Sequence, residues 1–204
     1  MKISIISGSH RNPSQSEKVA RHVENTIKRQ HPETETWLFT LADNPLPLWD
    51  QSLWEKNPEW DARLAPLKRE LAASDGFVIV SPEWHGQVPA GLKNFFLLFS
   101  RFELGHKPAL IVTVSSGDGG AYPVAELRMS SYKNNRICYI PEQVVVRHVE
   151  KVLNDNAADN IPEADGYFRE RIEWALDMLQ AYAVALKSMR ETTLIHHDSF
   201  GNGM

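Results

Sequence analysis

Short apolar runs rich in Ile and Val alternate along this chain with longer stretches in which apolar residues recur at helical spacing. The apolar runs predict five strands, at residues 2–7, 35–40, 76–81, 109–115 and 142–147. The longer stretches predict five helices, at about residues 15–30, 59–74, 89–101, 120–135 and 165–190. Strands that are so continuously apolar are typical of a parallel sheet covered by helices on both faces, so the pattern predicts an α/β protein.

The order of the strands follows from their number and from the helices that connect them. Five parallel strands joined by right-handed crossovers favour a flavodoxin-like, three-layer sandwich with the strand order 2-1-3-4-5. In that order, the loops after the first, third and fourth strands meet at one edge of the sheet. The chain has 204 residues, and we predict one domain at residues 1–190 followed by a C-terminal tail at 191–204.

Two turns rich in Gly and Ser fall at that edge, together with another turn that has the sequence Pro-Glu-Trp-His-Gly-Gln. Residues 8–16 are called the first turn here, residues 82–87 the second turn and residues 115–120 the third turn. The candidate site residues are Ser9, Arg11, Ser14, Gln15 and Ser16 in the first turn, Pro82, Glu83, Trp84, His85 and Gly86 in the second turn, and Ser115, Ser116 and Gly117 in the third turn. Because the three turns converge, they predict one ligand crevice.

The first turn has the features of a phosphate site. It runs from a strand into a helix, where unpaired N–H groups and the positive end of the helix dipole attract anions. Arg11 adds a planar guanidinium that suits phosphate oxygens. The alternative interpretation is that Ser14 or Ser16 simply caps the helix and that Arg11 is a solvated charge. The chain has no G-x-G-x-x-G spacing, no G-x-x-x-x-G-K-[ST] loop and no Cys-x5-Arg loop, so we expect phosphate binding without chemistry on the phosphate.

Two motifs carry a family resemblance. They are Gly8-Ser9-x-Arg11-x-x-Ser14, and Pro82-Glu83-Trp84-His85-Gly86-Gln87-Val88-Pro89 running into Gly91-Leu92-Lys93-Asn94. Over about residues 2–150 the chain resembles the NADPH-dependent FMN reductases. These are flavodoxin-like FMN proteins that reduce flavins, quinones, azo compounds or metal oxyanions with nicotinamide electrons. The family usually has Tyr at the position of Trp84 and often Asn at that of His85, and both differences keep a flat ring and a hydrogen-bonding tip.

The resemblance implies non-covalently bound FMN, with NADPH or NADH as co-substrate. The phosphate would lie in the first turn, and backbone N–H groups of the second and third turns would stabilise the reduced flavin edge. Trp84 would pack on the flavin ring, His85 would hydrogen-bond its edge, and Glu83 would anchor the loop. Hydride would pass to the flavin N5 atom, so no protein residue is predicted to be catalytic. The alternative is a plain strand-to-helix turn with Pro82 and Gly86 as breakers.

Three classes of function remain open at this stage. The resemblance implies an enzyme that passes electrons from NAD(P)H through FMN to a small-molecule acceptor. The alternatives are a flavodoxin-like electron carrier without NAD(P)H activity of its own, and a flavin-free sensor or structural module. Carrier flavodoxins are often markedly acidic, whereas a net charge of −4 with 22 basic residues is mild, and this favours the enzyme. The same charge disfavours nucleic acid or an anionic membrane as a partner.

Composition argues for a cytoplasmic protein without a metal site. The single Cys138 cannot form an internal disulfide, the N-terminus shows no signal-peptide pattern, and no apolar run approaches the roughly 18 residues that span a bilayer. The eight His residues show no metal-ligand spacing, and the pair His196-His197 lies in the tail. A Ser hydrolase is disfavoured because the chain lacks a G-x-S-x-G elbow.

Two segments predict an oligomer. Residues 41–60 form a long irregular connection with three of the six Trp residues, whose rings either cover the core, wall the crevice or reach a neighbouring subunit. Leu92 to Phe99 is apolar almost all round a helix, which is more than one sheet face can bury. We therefore expect a homodimer or homotetramer in which the helices near 89–101 and 120–135 meet their symmetry mates. The family resemblance also implies an oligomer, because members of the family commonly form dimers or dimers of dimers.

Overall fold

Five parallel strands form a single sheet in the computed structural model, which describes residues 1–55, 57–193, 195 and 198–203. The strands are β1 (Lys2–Ser7), β2 (Glu35–Thr40), β3 (Gly76–Pro82), β4 (Pro108–Val114) and β5 (Cys138–Val146). They pair in the order β2-β1-β3-β4-β5, and every pairing is parallel. The predicted flavodoxin-like fold and its strand order are confirmed.

Helices cover both faces of the sheet. They are α1 (Gln15–Gln30), α2 (Pro58–Ala73), α3 (Ala90–Leu98), the short α4 (Arg101–Leu104), α5 (Ala121–Ser130) and α6 (Pro162–Thr192). Buried residues of α1 and α6 pack against one face, and those of α2, α3 and α5 pack against the other. Each face therefore has its own apolar core, and the sheet lies between them as the middle of three layers.

The predicted helix at 89–101 is wrong in its extent, because the structure breaks it at Phe99. Phe99 has an extended backbone (φ −116°, ψ 137°), and Ser100 starts a new helix with a capping box. The Ser100 hydroxyl accepts from the Phe102 amide at 3.2 Å, while Glu103 accepts from the Ser100 amide at 2.8 Å. This reciprocal cap satisfies N–H groups that would otherwise lack partners, so it stabilises the break.

Two further boundaries differ from the prediction. The helix predicted at 120–135 ends at Ser130, followed by a turn in which the Arg136 amide donates to the Tyr132 carbonyl at 2.7 Å. Strand β5 starts at Cys138, four residues earlier than predicted, and contains Pro141. Proline has no N–H group to donate to a strand ladder, so its presence in a sequence argues against a strand. This is why the first residues of β5 were not predicted. Here Pro141 is tolerated because β5 is an edge strand whose pairing with β4 shifts register between Ala109 and Ile111.

The strand register places the three turns side by side. Ser7 at the end of β1 pairs with Val80 of β3, and Pro82 at the end of β3 pairs with Val114 at the end of β4.

Within the described ranges, no helix is both long and apolar enough to cross a bilayer. Among the same residues, no group of three or more His, Cys, Asp or Glu side chains could hold a metal ion. The pair His196-His197 lies outside the described residues.

Candidate functional site

The first turn leads into a capped helix, and its Arg11 side chain has no partner among the described residues. The Ser14 hydroxyl accepts from the Glu17 amide at 3.1 Å, so Ser14 does cap α1, as the alternative interpretation held. Helix geometry leaves the other first N–H groups of α1 without intrahelical acceptors. Ser9 is only 2% exposed, and its hydroxyl accepts from the Arg11 amide at 3.2 Å. The exposed Arg11 guanidinium makes no hydrogen bond or ion pair with any residue that the structure describes, so it remains available to an anion.

Gly8 fixes the start of the first turn against its neighbours. Its amide donates to the Val80 carbonyl at 2.8 Å. A Cβ atom at this position would lie 2.8 Å from that carbonyl oxygen and 2.6 Å from Cδ2 of Leu92. The backbone at the end of β1 thus lies directly against β3 and the Leu92 side chain of α3, and only a glycine fits at position 8.

The second turn folds into a tight hairpin. The Trp84 amide donates to the Gln87 carbonyl at 3.1 Å, and the Gln87 amide donates back to the Trp84 carbonyl at 3.0 Å. The two residues between them, His85 and Gly86, have φ angles of 51° and 71°, as a two-residue type I′ turn requires. The exposed His85 therefore stands at the tip of a hairpin that projects from the end of β3.

The third turn is held by hydrogen bonds at both of its ends. The Ser115 hydroxyl accepts from the Gly117 amide at 3.2 Å, and the Thr113 hydroxyl donates to the Gly120 carbonyl at 2.6 Å. The Gly120 amide donates to the Glu83 carboxylate at 2.6 Å. Glu83 thus ties the second turn to the third, which is the anchoring role that the family resemblance suggested for it.

His10 ties the first turn to the second and was not among the predicted site residues. Its ring packs edge-on against Trp84, with ring centroids 4.9 Å apart and an interplanar angle of 66°. Its Nε2 atom accepts from the Gly91 amide at 3.2 Å, at the start of α3. A Cβ atom on Gly91 would lie 2.9 Å from the His10 ring. A single His in a polar turn carries no sequence signal for this role, which only the packing of the two turns reveals.

Two glycines in the turns have open space beside them, and one buried amide oxygen at the start of α1 has no hydrogen-bond partner among the described residues. A Cβ atom on Gly86 or Gly117 would meet no atom within 4 Å. The Gln15 Oε1 atom is buried and has no hydrogen-bond partner within the described part of the chain. An acceptor of this kind needs a donor such as a hydroxyl. The residues present fit FMN, which has a phosphate for Arg11, hydroxyl donors along its ribityl chain and a flat ring whose edge can approach the backbone at a glycine.

The structure brings all three groups of predicted site residues to one edge of the sheet. Ser14 and Gln15 are half-buried at the start of α1, and Ser16 is buried. Pro82 is buried at the end of β3, and Ser116 is exposed in the third turn. Their contacts with a ligand remain predictions.

The family model of the NADPH-dependent FMN reductases matches residues 1–151. This chain belongs to that family. The match covers both motifs and all three turns, so the expectation of an FMN-dependent enzyme that uses NADPH or NADH is confirmed at the level of the family.

Relatives agree with this membership, and a solved structure has a similar fold. The chain is 27% identical to an NADPH azoreductase from Bacillus sp. (strain OY1-2) over 146 residues, which are 72% of this chain and 76% of that protein. It is 39% identical to a quinone reductase from Escherichia coli (strain K12) over 88 residues, only 41% of this chain and 45% of that protein. The fold is similar to that of the flavoenzyme NAD(P)H:(acceptor) oxidoreductase FerB from Paracoccus denitrificans, with a TM-score of 0.67 and 20% identity over 92% of this chain and 97% of that one.

The long connection at 41–60 lies against α3 in this family member. Asn94 of α3 is buried, and its side-chain amide donates to the Pro47 carbonyl at 2.7 Å and accepts from the Trp49 amide at 2.7 Å. Trp60 packs in the core, whereas Trp54 is 75% exposed. Part of this segment therefore covers the core, as one interpretation held, while its contact with a flavin or with a second subunit remains a prediction.

The outer surface beside α3 and α5 is concave and combines large apolar side chains with polar ones. A cavity of about 890 Å³ lies there, lined among others by Trp54, Phe96 and Leu97. Leu97 is 62% exposed, while Phe99 is 2% exposed and belongs to the core. The surplus of apolar residues predicted for this helix is therefore carried by Leu97 and the half-buried Phe96, not by Phe99.

Proposed function

We propose that this protein is an FMN-dependent oxidoreductase that uses NADPH or NADH to reduce a small acceptor such as a quinone, an azo compound or a flavin. The observation that carries this proposal is the meeting of the three turns at one edge of the sheet. There the exposed guanidinium of Arg11 has no partner among the described residues, the buried Oε1 atom of Gln15 has no hydrogen-bond partner among them, and Gly117 has open space beside it. The azoreductase and quinone reductase names of the relatives support this acceptor class.

Within this proposal each turn has one task. The first turn holds the phosphate through Arg11 and the N-terminal amides of α1. The second turn places Trp84 beside the ring, in the position that its contact with His10 fixes. The third turn presents backbone amides to the ring edge, where negative charge increases on reduction.

FMN held by these residues would supply the redox chemistry, which is the transfer of two electrons from the nicotinamide to the acceptor. The chain's own residues bind the flavin, orient it and leave one side open. Glu83 serves the site indirectly, because its bond to the Gly120 amide holds the third turn in register with the second. No acid or base from the protein is needed for the hydride step, which agrees with the absence of a predicted catalytic residue.

The second candidate is an electron carrier of the same fold, and the experiment that separates the two is simple. Purified protein loaded with FMN is mixed with NADPH or NADH and a quinone, with no other protein present. Continuous oxidation of the nicotinamide supports the enzyme. Stable FMN binding without any nicotinamide oxidation would support the carrier, and a protein that binds no FMN would contradict both.

Three further points remain proposals. The outer surface beside α3 and α5 is the face by which two copies would associate, because large exposed apolar side chains such as Leu97 and Trp54 gather around its cavity. Residues 1–190 are proposed as one FMN-binding domain with the tail beyond it. A cytoplasmic location is the third.

A further inference from the structure

A second cavity lies beside the third turn, between the end of β5 and the start of α6. Its volume is about 480 Å³. Ile161, Tyr167 and Phe168 line it with apolar and aromatic surface, and Arg147, His148 and Glu163 line it with charge and hydrogen-bonding groups. Tyr167 is 62% exposed and Ile161 is 51% exposed. The cavity thus combines a flat aromatic surface with a guanidinium and a carboxylate.

The segment that forms one side of this cavity is held firmly in place. Lys18 of α1 donates to the Val149 carbonyl at 2.6 Å, to the Val152 carbonyl at 2.9 Å and to the Asn154 side chain at 2.7 Å. The Leu153 amide donates to the Asp165 carboxylate at 2.6 Å. Since these bonds tie the segment after β5 to both α1 and α6, the cavity is formed before any ligand arrives.

Direct hydrogen bonds join the cavity wall to the third turn. Arg147 Nε donates to the Gly119 carbonyl at 3.0 Å, and the His148 amide donates to the Gly117 carbonyl at 3.3 Å. The His148 Nε2 atom lies 2.8 Å from the Asp118 carboxylate. The cavity therefore borders the turn beside which we place the flavin.

We propose that this cavity binds the adenosine half of NADPH or NADH. The adenine would lie against Tyr167, a phosphate would pair with Arg147, and ribose hydroxyls would donate to Glu163. This inference rests on the proposed function, because it requires the nicotinamide half to stack on a flavin held by the third turn.

The chemistry of the three groups matches this occupant. Aromatic side chains bind flat heterocycles by stacking, and cavities of this size hold ligands of this class. The Nε bond orients the guanidinium, and its two terminal nitrogens make no hydrogen bond to any described residue. Such a fork is suited to phosphate oxygens. A carboxylate that accepts from ribose hydroxyls is the usual partner of an adenosine ribose.

The test uses ADP, which is the adenosine half of NADH without the nicotinamide, and calorimetry on the FMN-loaded protein. We expect ADP to bind, and we expect Tyr167→Ala and Arg147→Ala each to weaken it about tenfold or more. Adenosine lacks phosphate, so we expect Tyr167→Ala to weaken its binding and Arg147→Ala to leave its binding unchanged. The matched control is Arg63→Ala, which removes an exposed arginine from α2 on the opposite sheet face.

Kinetics give an independent readout. Both variants should raise the KM for NADH by about the same factor as the ADP dissociation constant, with kcat and FMN affinity changed less than about twofold. The Arg147→Ala variant also loses the bond to Gly119, and its FMN affinity reports whether that loss disturbs the third turn. The Tyr167→Ala variant keeps this bond and serves as the comparison.

Two results would overturn the inference. One is ADP affinity that neither variant changes, or an absence of ADP binding in a protein that oxidises NADH. The other is a change in the KM for the quinone in place of that for NADH, which would make the cavity an acceptor site. If ADP binds as expected but the unmodified protein oxidises no nicotinamide, the proposed function fails and the adenosine site stands.

Discussion

Replacing Gly117 with alanine separates the needs of the ligand from the needs of the fold. The structure shows no atom within 4 Å of a Cβ at this position, and the backbone is not in the left-handed region. A Gly→Ala change at such a position stabilises the folded state by about 0.4–1 kcal/mol, because it restricts the unfolded chain. If the flavin ring lies against Gly117, however, the added methyl group must intrude on it.

The cost of that intrusion can be estimated. A methyl group forced into a packed contact costs about 1–3 kcal/mol, which corresponds to roughly a 5- to 150-fold weaker dissociation constant for FMN. We therefore expect Gly117→Ala to raise the apo-protein's free energy of unfolding and at the same time to weaken FMN. Urea unfolding of the flavin-free protein and a flavin fluorescence titration measure the two effects.

The matched control is Gly166→Ala in α6. A Cβ atom there also meets no atom within 4 Å, so this change should stabilise the protein similarly and leave FMN affinity unaltered. If Gly117→Ala binds FMN as tightly as the control does, the third turn does not border the flavin, and our placement of the ring is wrong.

Three more predictions concern anchoring, pH and assembly. Glu83→Ala leaves the buried Gly120 amide without its acceptor and should destabilise the protein by about 1–3 kcal/mol in urea unfolding, whereas Glu83→Gln, which keeps an acceptor, should lose less; equal losses would exclude the anchoring role. Burial, with smaller contributions from nearby arginines, lowers the pKa of His22 to about 4. This folded-state pKa lies below the ordinary value near 6.5, so the contribution of neutral His22 to the free energy of unfolding is fully present above pH 6.5. It is lost as the pH falls towards 4, by about 3 kcal/mol. The variant His22→Gln should remove that part of the pH dependence of unfolding. Leu97→Glu should convert the oligomer to monomers in sedimentation, and a monomeric unmodified protein at micromolar concentration would contradict the proposed interface.

The layers of the fold could be predicted because the central strands are buried on both faces. Phe77 to Val80 and Leu110 to Val112 are fully buried, and a continuous apolar run in the sequence is the direct consequence. The turns were predictable for a related reason, since Gly and Ser follow each run where the chain must bend and leave backbone amides free. Residues within one turn therefore carried a local signal.

Contacts between distant segments carried no such signal. The His10 ring meets Trp84 only because β1 and β3 are neighbours in the sheet. Likewise Arg147 and Tyr167 share a cavity because α6 returns across the end of β5, and neither residue stands in a motif. The break at Phe99 was missed because apolar periodicity continues through it, while the Ser100 cap that causes it is a single polar residue.

The central claim is that the first turn binds the phosphate of FMN, and comparing FMN with riboflavin tests it most directly. A charged hydrogen bond contributes about 1.5–3 kcal/mol, so Arg11→Ala should raise the dissociation constant of FMN by roughly 10- to 150-fold. Riboflavin has no phosphate, and its affinity should change less than about twofold in the same fluorescence titration. Equal losses for the two flavins, or no loss for either, would contradict the account.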